Sequence, residues 1–291
     1  MTWTLSDTAN LALTCLHPHR LLSTRQLHQL LHPGRTRRTT QRLLADLAGQ
    51  ELIASVRQRG GRRGTEAVWH LSPTGAEVVH RAPDGAEPRH KPITAQIAAG
   101  PLQRHTLAVN DACLAFLGAA RTRGDECGPL AWRHEIAHPI SAKRSDAVIT
   151  DAVLRYQSAA SDGAVVLDYR FIELDRATMP VDQLATKLAR YTQLATYTPP
   201  GARQPAWRTR YLALPDLLVV LADASPARLQ RRIEQLVSLS RGISGLGRDP
   251  ALGVWLCRLD QLTEHGPYAS IFTRLDQPGR PCDWLGHQRA S

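Results

Sequence analysis

Several features that mark familiar functional classes are missing from this chain. It has no apolar run of about eighteen residues, so no membrane-spanning helix is expected. Its opening, "MTWTLSDTANLAL", lacks a basic stretch followed by a small-residue cleavage motif, so secretion is not expected. The five cysteines, Cys15, Cys113, Cys127, Cys257 and Cys282, are widely spaced and odd in number. They suit neither a disulfide framework nor a zinc site, and a reducing, cytoplasmic setting fits them best. "CLHPHR" sets Cys15, His17 and His19 at alternate positions, but no second half of a zinc-ligand set follows. There is no glycine-rich phosphate loop and no G-x-S-x-G, so ATP use and serine-hydrolase chemistry find no support. Lysine is nearly absent: only Lys91, Lys143 and Lys187 occur among 36 basic residues.

What is abundant is arginine. The net charge is +10 and the isoelectric point about 9.9, a balance that favours nucleic acid or another polyanion as partner. The charge is concentrated near the N-terminus. Residues 20–63 hold ten arginines against two acids, Asp46 and Glu51.

That region reads as three helices followed by a hairpin. Ser6 or Asp7 can cap the first helix and Ser23 the second, which keeps Leu27, Leu30 and Leu31 on one side. "HPGR" breaks the second. "TRRTTQRLLADLAGQ" predicts the third, with Leu43, Leu44 and Leu47 as its apolar stripe. "ELIASVRQ" and "EAVWHLS" predict two strands joined by "RGGRRGT", and Ser72 with Pro73 predicts a closing helix. This stretch resembles bacterial winged helix-turn-helix domains. The resemblance implies contact with double-stranded DNA through Arg37, Arg38, Gln41 and Arg42 on the third helix and Arg35 just before it. It also implies contact through Arg59, Arg62 and Arg63 at the wing tip. The expected organisation is a winged-helix domain over 1–82, a linker over 83–100 and an α/β domain over 101–291.

The second part reads as a helix over "LQRHTLAVNDACLAFLGAARTR", three successive strands, a helix, a fully apolar strand "PDLLVVLAD", a further helix and a last strand. Such an order predicts a mixed sheet with helices packed on it, in an α/β (α+β) chain. The third strand, "VVLDYRFIELD", carries Glu173 and Asp175 two residues apart, hence on one face. If it pairs antiparallel with "AVITDAVLRYQ", Asp151 comes close to both, and Asp146 in "SDAVIT" is the rival that a five-residue register shift would put there instead. Three clustered carboxylates call for a counter-charge, and Mg2+ or Mn2+ would supply it.

This arrangement resembles the PD-(D/E)XK, restriction-endonuclease-like fold. Asp151 matches that family's first acid and Glu173 its glutamate, but Asp175 stands where the family has lysine. Lys187, one helix later, is the candidate replacement, and Arg155, Arg176 and Arg190 are candidate ion-pair partners of the acids. Across nearly the whole chain, "RHTLAVNDACLAF", "ITDAVLRY" and "FIELDRATMPVDQLATKLARYTQL" resemble the replication-relaxation family of actinobacterial plasmids and mobile elements. Its motif set here is His105, Asn110, Asp111, Asp151, Glu173, Asp175, Thr178, Lys187 and Tyr191. Two readings stay open. One is a metal-dependent endodeoxyribonuclease with Asp151, Glu173, Asp175 and Lys187 in its centre. The other is a non-catalytic replication or transcription regulator that keeps a degenerate nuclease fold for gripping DNA or forming a homodimer.

Overall fold

The computed structural model describes residues 5–58, 66–81, 93–143, 145–160, 163–246 and 252–288. The chain forms two compact units, Met1–Leu114 and Ala115–Ser291. The architecture is α+β, with helices at the N-terminus and a separate mixed sheet after them.

In the first unit, α1 (Asp7–His19) starts where the Ser6 side chain accepts a hydrogen bond from the Ala9 N–H. Strand β1 (Leu22–Ser23) runs directly into α2 (Thr24–Leu31), and Ser23 and Gln26 cap that helix reciprocally. Helix α3 (Arg37–Gly49) follows, then the antiparallel strands β2 (Ile53–Arg57) and β3 (Ala67–Leu71). Strand β1 joins the free edge of β3, giving the order β1-β3-β2. Leu13, Leu16, Leu27, Leu30, Leu44, Leu47 and Val68 are buried between these elements. Helix α4 (Pro73–Arg81) starts hard against Leu52, the residue before β2: a Cβ on Gly75 would lie 1.9 Å from the Leu52 carbonyl oxygen, so only glycine fits.

A short α5 (Ala95–Ala98) precedes α6 (Leu102–Arg123), whose first half belongs to this unit. There Asn110, fully buried, donates to the carbonyls of Leu21 (2.8 Å) and His19 (3.3 Å). Asp111 accepts from Arg25 (2.7 Å) and Gln26 (2.6 Å). The linker expected over 83–100 lies mostly outside the described residues, and the division between units falls within α6.

The second unit is a six-stranded sheet of order β4-β5-β6-β7-β8-β9. Strands β4 (Trp132–Pro139), β5 (Ala147–Ala159) and β6 (Val165–Asp175) form an antiparallel meander. Helix α7 (Val181–Thr196) then leads to β7 (Asp216–Leu221), parallel to β6, and α8 (Pro226–Ser240) leads to β8 (Val254–Arg258), parallel to β7. Helix α9 (Leu259–His265) and β9 (Thr273–Arg274) finish the far edge. Leu188 and Leu194 of α7 and Ile233 and Leu236 of α8 pack on Phe171, Val219 and Leu256 of the sheet. On the other face Phe116, Tyr156 and Trp284 meet edge to face, with ring centroids 5.0–6.4 Å apart. Among the described residues no helix is long and apolar enough to cross a membrane.

Candidate functional site

Phe171, Glu173 and Asp175 alternate along β6 toward α7 and α8. The antiparallel register pairs Ala152 with Ile172, which sets Asp151 level with Glu173. Asp151 turns one carboxylate oxygen to the backbone of β6 and accepts a hydrogen bond from the Leu174 N–H at 2.8 Å.

Glu173 is 2% exposed. Its Oε2 meets the Lys187 ammonium, and its Oε1 accepts a hydrogen bond from the Tyr191 hydroxyl. Lys187 and Tyr191 stand four apart on α7, so one helix face delivers both. Burial, and then the charge of Asp151, push the Glu173 carboxyl up to about 8, against the pull of Lys187 and Tyr191. Burial works against the charge on Lys187, but Glu173 and Asp151 outweigh it and raise its pKa. Burial and the Glu173 charge likewise hold the Tyr191 phenol well above its ordinary range.

Asp175, two residues on, answers to a different helix. Arg232 of α8 grips it through two nitrogens, Nε on Oδ2 and a terminal nitrogen on Oδ1 at 3.1 Å. The same guanidinium donates to the Met179 carbonyl (2.7 Å), and the Ala177 N–H donates to Asp175 Oδ1 (3.1 Å). Both members of the ion pair are buried. Asp175 therefore ties the turn after β6 to α8.

The sequence sets Asp151, Glu173 and Asp175 together as ligands of one divalent cation. The fold brings Asp151 and Glu173 to one level of the sheet and gives all three acids protein partners. Among the described residues no group of three or more His, Cys, Asp or Glu side chains is disposed to hold a metal ion. Magnesium or manganese would have to draw these oxygens away from Lys187, Tyr191, Arg232 and the Leu174 N–H. Lys187 does reach Glu173, but the arginines proposed as partners do not reach the acids. Arg155 pairs with Glu126 (2.6 Å), Arg176 with Asp223 (2.6 Å), and Arg190 with Asp146 (2.8 Å). Sequence reasoning missed Arg232, which lies 57 residues from its partner and carries no local signal. Tyr191 enters the sequence reading only as a member of the family motif set, and its i,i+4 spacing from Lys187 is the signal that could have paired it with Glu173.

The basic surface of the first unit is laid out on α3 and on the turn before it, which carries Arg35. Arg35, Arg37, Arg38, Gln41 and Arg42 are all exposed, while Thr40, Leu44 and Leu47 face inward. Arg37 forms an ion pair with Glu66 at the base of β3, and Glu66 also accepts from the Arg25 N–H (2.8 Å). Thr40 holds α2 against α3 through His28 and His32, each 3.0 Å from its hydroxyl. The side chains of Arg38, Gln41 and Arg42 have no hydrogen-bond or ion-pair partner among the described residues. Arg59, Arg62 and Arg63 lie outside the described residues.

The family model described as replication-relaxation matches residues 13–205, which span the first unit from the middle of α1 onward, β4 to β6 and the whole of α7. No curated protein matches the sequence. Among solved structures, the crystal structure of Bacillus subtilis PadR in complex with operator DNA is similar at 12% identity. The match covers 42% of this chain and 71% of that one with a TM-score of 0.24, and a superposition this loose establishes no common fold.

Proposed function

The chain belongs to the replication-relaxation family, and from that premise we propose that it is a DNA-binding replication or transcription regulator whose nuclease-like sheet domain does not cleave. In this reading the first unit is a winged helix. Its helix order, the β1-β3-β2 sheet, and the exposed Arg38, Gln41 and Arg42 on α3 with Arg35 in the turn before it support a groove-reading helix beside a wing. The second unit, with its meander β4-β5-β6 and crossover helix α7, resembles the nuclease frame in outline.

The observation that carries the non-cleaving reading is the pairing of the acids inside the protein. Asp175 stands where the nuclease pattern has lysine, and Arg232 neutralises it in a buried ion pair. Glu173 is buried with both oxygens engaged, one by the Lys187 ammonium and one by the Tyr191 hydroxyl. One observation favours the hydrolytic reading: Lys187 reaches Glu173 from α7, a lysine beside the glutamate by another route.

A supercoiled-plasmid assay separates the two. We expect a mobility shift with duplex DNA and no nicked or linear product in magnesium or manganese. Product that disappears with EDTA and in Glu173→Ala would reverse the reading in favour of a metal-dependent nuclease. Absence of any mobility shift at low salt would remove DNA as the partner.

A further inference from the structure

In the second unit, the turn between β6 and α7 and one face of α8 enclose an open pocket of about 420 Å³. Residues 177–181 form one wall, and Arg228, Arg231, Arg232 and Gln235 form the other. The α8 positions recur at i, i+3, i+4 and i+7, so a single helix face carries them. Two of the guanidinium groups are fixed at this wall by carbonyls of the turn. Arg228 donates to Ala177 (3.2 Å) and Arg232 to Met179 (2.7 Å).

The charge in this pocket is uncompensated. No acid among the described residues lines it. Arg232 is neutralised by Asp175, and of the acids nearest in the chain, Asp223 pairs with Arg176 and Glu234 accepts from Gln230 (3.2 Å). Arg231 has no side-chain partner among the described residues, and the Arg228 guanidinium has none beyond Ala177. The hydroxyl of Thr178, a motif residue that the acidic site does not use, is exposed and has none either. Like charges one helical turn apart repel, and Arg228 cannot swing away while it holds Ala177. The buried Arg232–Asp175 pair locks the two walls together. Two unpaired guanidinium forks beside a hydroxyl donor, on a fixed frame, suit the oxygens of a phosphate group.

We infer that this pocket holds a backbone phosphate of DNA, with Arg228 and Arg231 as its cationic donors and Thr178 as a hydroxyl donor. The second unit then has a contact of its own with the duplex. The inference rests on the DNA-binding reading and extends it to a surface outside the winged helix.

Fluorescence anisotropy of a labelled duplex with the full chain, across a salt series, tests it. Arg228→Gln with Arg231→Gln is expected to weaken binding at low salt by at least about fivefold and to lower the log–log salt slope by about one, the share of one phosphate. Arg203→Gln with Arg241→Gln removes the same charge from exposed positions outside the pocket, and should change affinity by less than about twofold. Arg231→Gln alone loses no bond within the protein, so its share of the weakening is free of any loosening of the turn. A wild-type chain that leaves the duplex unbound would remove the DNA reading and this inference together. Wild-type binding with affinity and slope unchanged in the pocket variants, or equal weakening by both pairs of substitutions, would overturn this inference alone. Calorimetric titration with thymidine 5′-monophosphate separates a strand from a free nucleotide. No binding tighter than about 1 mM is expected, because one phosphate without its strand forgoes every other contact. Tighter binding that the pocket variant loses, with duplex affinity kept, would overturn the assignment to DNA.

Discussion

Glu173 and Asp175 alternate on the same strand face yet answer to different helices. Glu173 gains a hydroxyl and an ammonium, but its burial and Asp151 raise its carboxyl to about 8 from an ordinary value of 4.5. Between those values the folded protein binds a proton that the unfolded chain has released. Stability from this group is therefore full at low pH and is lost as the pH rises from about 5 to 8. Glu173→Gln keeps the shape and removes the titration. Urea midpoints of wild type and variant should diverge with rising pH, the wild type losing about 1–3 kcal/mol relative to the variant. Parallel midpoints would mean that Lys187 keeps the carboxylate ionised throughout. Asp175 is held by Arg232 instead, and removing one member of a buried pair strands the other. Arg232→Met should cost about 3–5 kcal/mol in denaturant unfolding followed by tryptophan fluorescence, and adding Asp175→Leu should restore most of it. A double variant no more stable than the single one would show that the pair is not what holds the turn to α8.

At the scale of elements, the helix–strand contacts rest on a few exact fits. Gly75 is the sharpest: the first turn of α4 lies so close to the Leu52 carbonyl that one methyl group has no room. Gly75→Ala should lower stability by about 1–3 kcal/mol, through displacement of α4 from Leu52, and a thermal melt would register it. An unchanged melting temperature would mean that α4 shifts freely. The half of α6 before Leu114 is joined to α1, β1 and α2 by Asn110 and Asp111. Those two family-motif residues thus act in the framework of the first unit. On α3 the arginines divide into two kinds: Arg37 braces the hairpin through Glu66, while Arg38 and Arg42 face solvent.

For the molecule as a whole, the excess of ten positive charges and its concentration between residues 20 and 63 predict a polyanion partner whose binding weakens with salt. Replacing Arg35, Arg38 and Arg42 together by alanine should lower duplex affinity and flatten the log–log salt dependence by about two to three. Fluorescence anisotropy across a salt series measures both. An unchanged slope would assign the contact to another surface. Leaving Arg37 in place keeps the hairpin brace intact, so a loss of affinity reads as lost contact.

The sequence alone determined the elements with strong periods and clear caps. Ser6, Ser23, Ser72 and Ser225 mark helix starts, α6 spans Leu102–Arg123 as its apolar stripe predicts, and β7 is buried as its unbroken apolar run requires. It determined the charge distribution and the antiparallel approach of Asp151 to Glu173 for the same reason: these depend on neighbours in the chain or on a strand period of two. Strands β1 and β9, two residues each, were illegible because two residues carry no period. Only the tertiary structure decided which cations meet the acids. Arg232 reaches Asp175 because α7 and α8 pack side by side on the sheet, an outcome of core packing between segments 57 residues apart. A cavity lined from α1, β3 and α4 arose in the same way, from a convergence that no local pattern encodes.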